Sequence, residues 1–179
     1  MTARFAPLAL IITLLVTLGA VGLVVVQLTG DSTLTIEEYF QRLQALNDVA
    51  DERSEELENA FNADFLAAGS EEGVLQAFEN FFTDSLPIFE DFVEGMEDLN
   101  PPAAVEDAHN ESVEGGAELL AVVRSVLDGL DDLESTASLE DLFEEEGFFA
   151  AGDRLDTACF ALQDIADENE IDGDLDCEG

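Results

Sequence analysis

The chain has 179 residues, with 43 Asp+Glu against five Arg and no Lys, a formal charge of −38, yet 47% of it is hydrophobic. So acidic a surface repels a phosphate backbone and excludes direct nucleic-acid binding, and the apolar fraction excludes simple disorder. The length fits one domain of ordinary size.

The charge is unevenly placed. All 43 acids lie after Thr29, while Arg4 lies before it, so residues 31–179 hold four Arg and a net charge of −39. From Phe5 to Gly30 no residue is charged. The strongest apolar run, Leu8 to Leu28, spans roughly 31 Å as a helix, against about 30 Å for a bilayer core. A cleaved signal peptide is the rival reading. Its apolar region is usually shorter, about 7–15 residues, and ends in a small-x-small site. Ala20-Val21-Gly22 is the nearest such site, but Leu23-Val24-Val25-Val26 follows it, a poor cleavage context. The run therefore reads as an uncleaved anchor over residues 1–30, meeting the lipid bilayer through residues 5–28. Arg4 and the amino terminus set its cytoplasmic side, which leaves the acidic domain extracytoplasmic. Ala9, Thr13 and Thr17 form a small-residue stripe on this helix, ordinary for a membrane segment.

The exported part reads as helices throughout. Thr35-Ile36-Glu37-Glu38 is a capping box. After it, Ile36, Tyr39, Phe40, Leu43, Leu46, Ala50, Leu57, Phe61 and Phe65 recur at three- and four-residue steps, predicting one long helix from Thr35 to Ala67. Arg53 interrupts that stripe, with Asp51, Glu52, Glu56 and Glu58 as expected partners. Gly69-Ser70 ends this helix and caps the next. The second stripe, from Val74 to Leu99, holds Phe78, Phe81, Phe82, Phe89 and Phe92 and is expected at the centre of the core. Pro87 inside it predicts a kink or break near Asp84–Pro87.

Asn100-Pro101-Pro102 suits an N-cap followed by proline in the first turn, predicting a third helix from Pro101 to about Leu133. Gly115-Gly116 inside it costs roughly 1 kcal/mol per Gly against Ala and suits close approach of a neighbour. Ser135-Thr136-Ala137-Ser138 reads as a turn, and a fourth helix starts at Ser138, with Gly147 and Gly152 as interruptions. Short connections make consecutive helices antiparallel. The expected fold is all-α, an antiparallel up-down four-helix bundle over residues 31–168, followed by an acidic tail over 169–179.

Cys159 lies on the apolar side of the last helix and Cys177 in the tail. Two cysteines in an exported domain favour a disulfide; the alternative is two free thiols, with Cys159 a small core residue.

Three stretches carry a resemblance. They are Thr35-Ile36-Glu37-Glu38-Tyr39-Phe40, then Pro101-Pro102 with His109 eight residues after the first Pro, then Cys159-Phe160-Ala161-Leu162-Gln163 with Asp174-Leu175-Asp176-Cys177. Together they resemble an uncharacterised family of exported, membrane-anchored helical proteins and lipoproteins of bacteria. The resemblance spans most of residues 35–177. It implies a paired Cys159 and Cys177 and an extracytoplasmic location, and it implies no activity. No lipid-attachment cysteine is present, so the anchor must be the helix itself.

Little in the sequence points to catalysis. Glu106-x-x-His109 is half of a carboxylate-bridged di-metal pattern, but the second Glu-x-x-His is missing because His109 is the only histidine. It reads instead as a surface or boundary residue at the start of the third helix. No nucleophile elbow or phosphate loop occurs. Asp172, Asp174 and Asp176 alternate like the start of a calcium loop, but the sixth position is Cys177 and the chain lacks a twelfth, so the tail is no EF-hand. Asn110-Glu111-Ser112 is a glycosylation sequon set within a helix. No cofactor, metal site or enzymatic activity is expected.

The acids form solvated faces, whose self-repulsion salt should relieve. Crowded carboxylates should also favour protonation in the fold, so stability should rise as pH falls from 7 toward about 5. Abundant acid without Lys is also what a high-salt habitat selects. The leading functional expectation is a non-enzymatic envelope interaction protein with an unknown protein partner. The alternatives are an acidic module for basic partners or for weak Ca²⁺ or Mg²⁺ binding, and a ligand-sensing bundle; an enzyme using paired carboxylates ranks last.

Overall fold

A computed structural model describes residues 33–133, 135–171, 175 and 177. The expected anchor over residues 1–30 lies outside the described residues, as do Asp172, Asp174 and Asp176. Among the described residues no helix is long and apolar enough to cross a membrane.

The described chain is all-helical and bundle-like. Its helices are α1 (Ile36–Ala67), α2 (Glu71–Glu97), α3 (Glu106–Leu130), α4 (Leu139–Glu145) and α5 (Phe148–Glu168), with a 3-10 turn (Thr136–Ser138) before α4. The capping box opens α1 as the sequence predicts: the Thr35 hydroxyl accepts from the Glu38 amide at 3.2 Å, and the Glu38 carboxylate accepts from the Thr35 amide at 2.9 Å. Ser70 caps α2 in the same way, accepting from the Gly73 amide at 3.2 Å.

Cross-helix contacts run in opposite directions along neighbouring helices. Between α1 and α2, Leu46 lies against Gly95 and Arg53 pairs with Asp91. Between α2 and α3, Val93 lies against Gly116 and Glu90 pairs with Arg124. From α3, Gly115 meets Leu155 of α5, and Gly129 further along α3 meets Leu142 of α4. As the residue number rises on one helix it falls on its neighbour, so these helices are antiparallel.

Two expectations are corrected. Pro87 does not break α2, which is continuous from Glu71 to Glu97. Proline removes a single amide from the ladder, and the buried Phe78, Phe81, Phe82, Ile88, Val93 and Met96 on either side hold both halves against the core. The third helix starts at Glu106, not Pro101, and Asn100 is not its cap. Residues 101–105 form a turn in which the Val105 amide donates to the Pro102 carbonyl at 2.9 Å, and the Asn100 carbonyl accepts instead from the Leu34 amide at 3.0 Å. The predicted fourth helix is divided in two, at one of the two glycines named from the sequence. It breaks at Gly147, whose φ of +77° is a left-handed conformation that glycine adopts without strain, while Gly152 lies undisturbed inside α5.

The interior divides into two apolar clusters. At one end Phe61, Phe78, Phe81 and Phe82 pack with Leu119, Val123 and Val126 of α3, Phe143 of α4 and Phe148 of α5. Phe82 is central there, with ring centroids 5.6 Å from Phe143 and 5.9 Å from Phe148. At the other end Leu34, Tyr39, Phe40 and Leu43 pack with Met96, Leu99, Val105, Leu162, Ala166 and Leu175. This second cluster joins the start of α1 to the end of α5.

Candidate functional site

The polar groups inside the protein are few. Among the described residues, the buried polar or charged ones are Asn47, Ser85 and His109. Ser85 satisfies itself by donating to the Phe82 carbonyl at 2.9 Å. Asn47 Oδ1 is buried without a hydrogen-bond partner.

His109 is the correction that matters most. It is no surface or boundary residue: it is 4% exposed, on the inner face of α3. The amphipathic stripe of that helix runs through position 109, and the fully buried Tyr39 of α1 comes up against it. The Tyr39 hydroxyl lies 3.2 Å from His109 Nδ1, and the rings meet edge-on with centroids 5.7 Å apart. Burial pushes the Tyr39 phenol up and the His109 imidazole down from their ordinary values. Both are therefore neutral near pH 7. The phenol and Nδ1 share one hydrogen bond, whose donor is set by the imidazole tautomer. Sealed so completely, the pair has no open face for a substrate. It is a polar tie between α1 and α3 beside the second cluster.

The half metal motif dissolves at this point. Glu106 is exposed while His109 faces inward, so the two do not converge. Among the described residues no group of three or more His, Cys, Asp or Glu is placed to hold a metal ion. The sequon lies in α3, with Asn110 exposed and the Ser112 hydroxyl donating to the Ala108 carbonyl at 3.0 Å.

The cations sit at helix seams. Arg53 is paired with Asp91 across α1 and α2, a partner on the facing helix that the sequence reading did not name. Arg154 of α5 reaches three carboxylates of α3, Glu111 at 3.0 Å, Glu114 at 2.8 Å and Glu118 at 2.7 Å. Hydrogen bonds to Glu118, then Glu111 and Glu114, hold its proton more tightly than usual. Sequence reasoning gave this clamp no place, although Glu111, Glu114 and Glu118 recur at the three- and four-residue steps that make one helix face.

Cys159 and Cys177 lie at bonding distance, Sγ to Sγ 2.02 Å, with Cα atoms 5.6 Å apart. Leu175, two residues before Cys177, is 4% exposed in the second cluster. Its amide donates to Gln163 Oε1 at 2.8 Å, and its carbonyl lies 3.8 Å from Cys159 Sγ. Burying one leucine is worth about 2 kcal/mol, while ordering the backbone costs roughly 1–2 kcal/mol per residue.

No protein-family model matches this chain, no curated protein matches it, and no solved structure matches its fold.

Proposed function

We propose that the protein is a single-pass, membrane-anchored extracytoplasmic protein with a non-enzymatic interaction role at the cell envelope. In this reading the described helices form an antiparallel up-down four-helix bundle held outside the cytoplasm by the apolar run Leu8 to Leu28. The observation that carries it is the pairing of Cys159 with Cys177, since structural disulfides persist in oxidising compartments. The uncharged N-terminal run and Arg4 agree with that orientation, as does the resemblance to exported helical proteins of bacteria. The sealed Tyr39–His109 pair favours a structural over a catalytic use of the one histidine.

The test is fractionation of cells producing the full chain, followed by thiol labelling with a maleimide polymer before and after reduction. The protein is expected in the membrane pellet after alkaline carbonate, unlabelled until reduced and doubly labelled afterwards. Recovery in the aqueous fraction with its N-terminus intact, or labelling without reduction, overturns the reading.

A further inference from the structure

The bridge holds more than a chain end. Leu175 fills a floor made by Leu34 ahead of α1 and by Leu162 and Ala166 near the end of α5, all buried in one cluster. Leu34 is itself tied to the segment after α2, its amide donating a hydrogen bond to the Asn100 carbonyl. Leu175 thus packs in the same buried cluster as the residue just ahead of α1. Both cysteines are half-buried rather than sealed, so an exchanging thiolate can reach the sulfurs. The first cluster lies at the other end of the helices and shares no residue with this floor.

We propose that the Cys159–Cys177 bridge is a redox latch, whose reduction by a dithiol frees the arm carrying Leu175 and uncovers the apolar floor of Leu34, Leu162 and Ala166 while the rest of the bundle stays folded. The reductant is a dithiol of the kind carried by thiol-disulfide oxidoreductases. Its thiolate attacks one cysteine sulfur, the bond between the two sulfurs breaks, and a mixed disulfide forms. The second thiol of the reductant then displaces the first cysteine. Cys159 and Cys177 leave as thiols, having gained two electrons and two protons, and the reductant leaves as a disulfide. The inference rests on the bridge invoked under the proposed function, but not on the membrane anchor.

The test is amide hydrogen exchange of the full-length chain in detergent micelles, with and without dithiothreitol. On reduction, exchange in peptides covering Leu34–Leu43 and Leu162–Ala166 should rise tenfold or more, while peptides covering Phe78–Phe82 and Val123–Leu130 keep their protection. A Leu175→Asp variant with the bridge intact should raise exchange at the same floor without any reductant. Unchanged exchange after complete reduction overturns the latch, because the arm then holds itself. A rise of all peptides together also overturns it, because the bridge is then a staple of the whole bundle. Unreactive thiols before reduction, combined with either of those results, leave the proposed location intact and sink the latch alone.

Discussion

The hydroxyl of Tyr39 on α1 and the Nδ1 of His109 on α3 meet at 3.2 Å beside an apolar cluster, joining residues 70 positions apart in the chain. A protonated imidazole would carry a charge desolvated by its burial. In the folded protein burial lowers the His109 pKa below its ordinary 6.5, whereas the unfolded chain takes the proton near that value. The stabilisation is therefore complete above about pH 6.5 and is lost as pH falls from there toward the folded value. Comparison with His109→Gln isolates the histidine: the difference in urea midpoint between wild type and variant should shrink steadily from pH 7.5 to pH 5. A difference that is flat across that range rules out the assignment. At pH 7.5 His109→Ala should cost about 2–3 kcal/mol, through a cavity and an unpaired Tyr39 hydroxyl.

Arg154 concentrates one guanidinium on three glutamates, whereas Arg124 pairs with Glu90. Removing Arg154 leaves three like charges spaced along α3 without their shared cation. Arg154→Gln should therefore lower the melting temperature more than Arg124→Gln does. The two salt effects have opposite signs and can be told apart. Added salt should raise the melting temperature of the wild type by screening its net repulsion, and should shrink the gap between wild type and Arg154→Gln. Thermal melts at 0.05 and 1 M NaCl make the comparison; a gap that widens with salt contradicts the clamp.

Gly115 and Gly116 are adjacent yet face different helices. A Cβ on Gly116 would lie 2.7 Å from Val93 Cγ2, on a short, β-branched and buried side chain that has no room to turn away. A Cβ on Gly115 would lie 3.2 Å from Leu155 Cδ2, the far end of a longer side chain. Gly116→Ala should therefore destabilise by about 1–3 kcal/mol, despite the helix propensity gained. Gly115→Ala should fall within about 1 kcal/mol of wild type, with either sign. Denaturant melts of the two variants should separate them clearly; equal effects would mean α2 does not pack on Gly116.

The local signals that proved reliable are those whose cause is itself local. Thr35 and Glu38 satisfy each other within one turn, and the stripes of α1 and α2 follow from helix period alone, so sequence suffices for them. Asn100-Pro101-Pro102 misled because a cap is decided by competition: the Asn100 carbonyl is engaged by Leu34, a residue 66 positions earlier in the chain. Pro87 misled because its cost is local and its compensation is tertiary. His109 misled for the same reason, since a single imidazole on a helix has no signature that distinguishes solvent from a facing tyrosine. Tyr39 was visible as a stripe residue, but its partner was not. The three-glutamate clamp was half legible, in the spacing of Glu111, Glu114 and Glu118; the position of Arg154 opposite them depends on the register of α3 against α5.

The start of α1 offers a test in which two parts of one cap respond differently to pH. The Thr35 hydroxyl accepts from the Glu38 amide, and the Glu38 carboxylate accepts from both the amide and the hydroxyl of Thr35. The amide bond is the larger cause of a Glu38 carboxyl held below its ordinary range, and the hydroxyl adds to it. Thr35→Ala removes the hydroxyl but keeps the amide. It should cost about 1 kcal/mol, nearly constant between pH 5 and 8, because Glu38 stays ionised throughout. Glu38→Gln instead removes the titrating group. A depressed carboxyl stabilises fully above its unfolded value, and that contribution disappears as pH falls through the lower folded value. The stability gap between wild type and Glu38→Gln should thus be present at pH 7 and close toward pH 3, while the Thr35→Ala gap persists down to pH 5. Urea titrations at pH 7, 5 and 3 decide it, and a Glu38→Gln gap that survives unchanged at pH 3 would show that the carboxylate contributes by shape and not by charge.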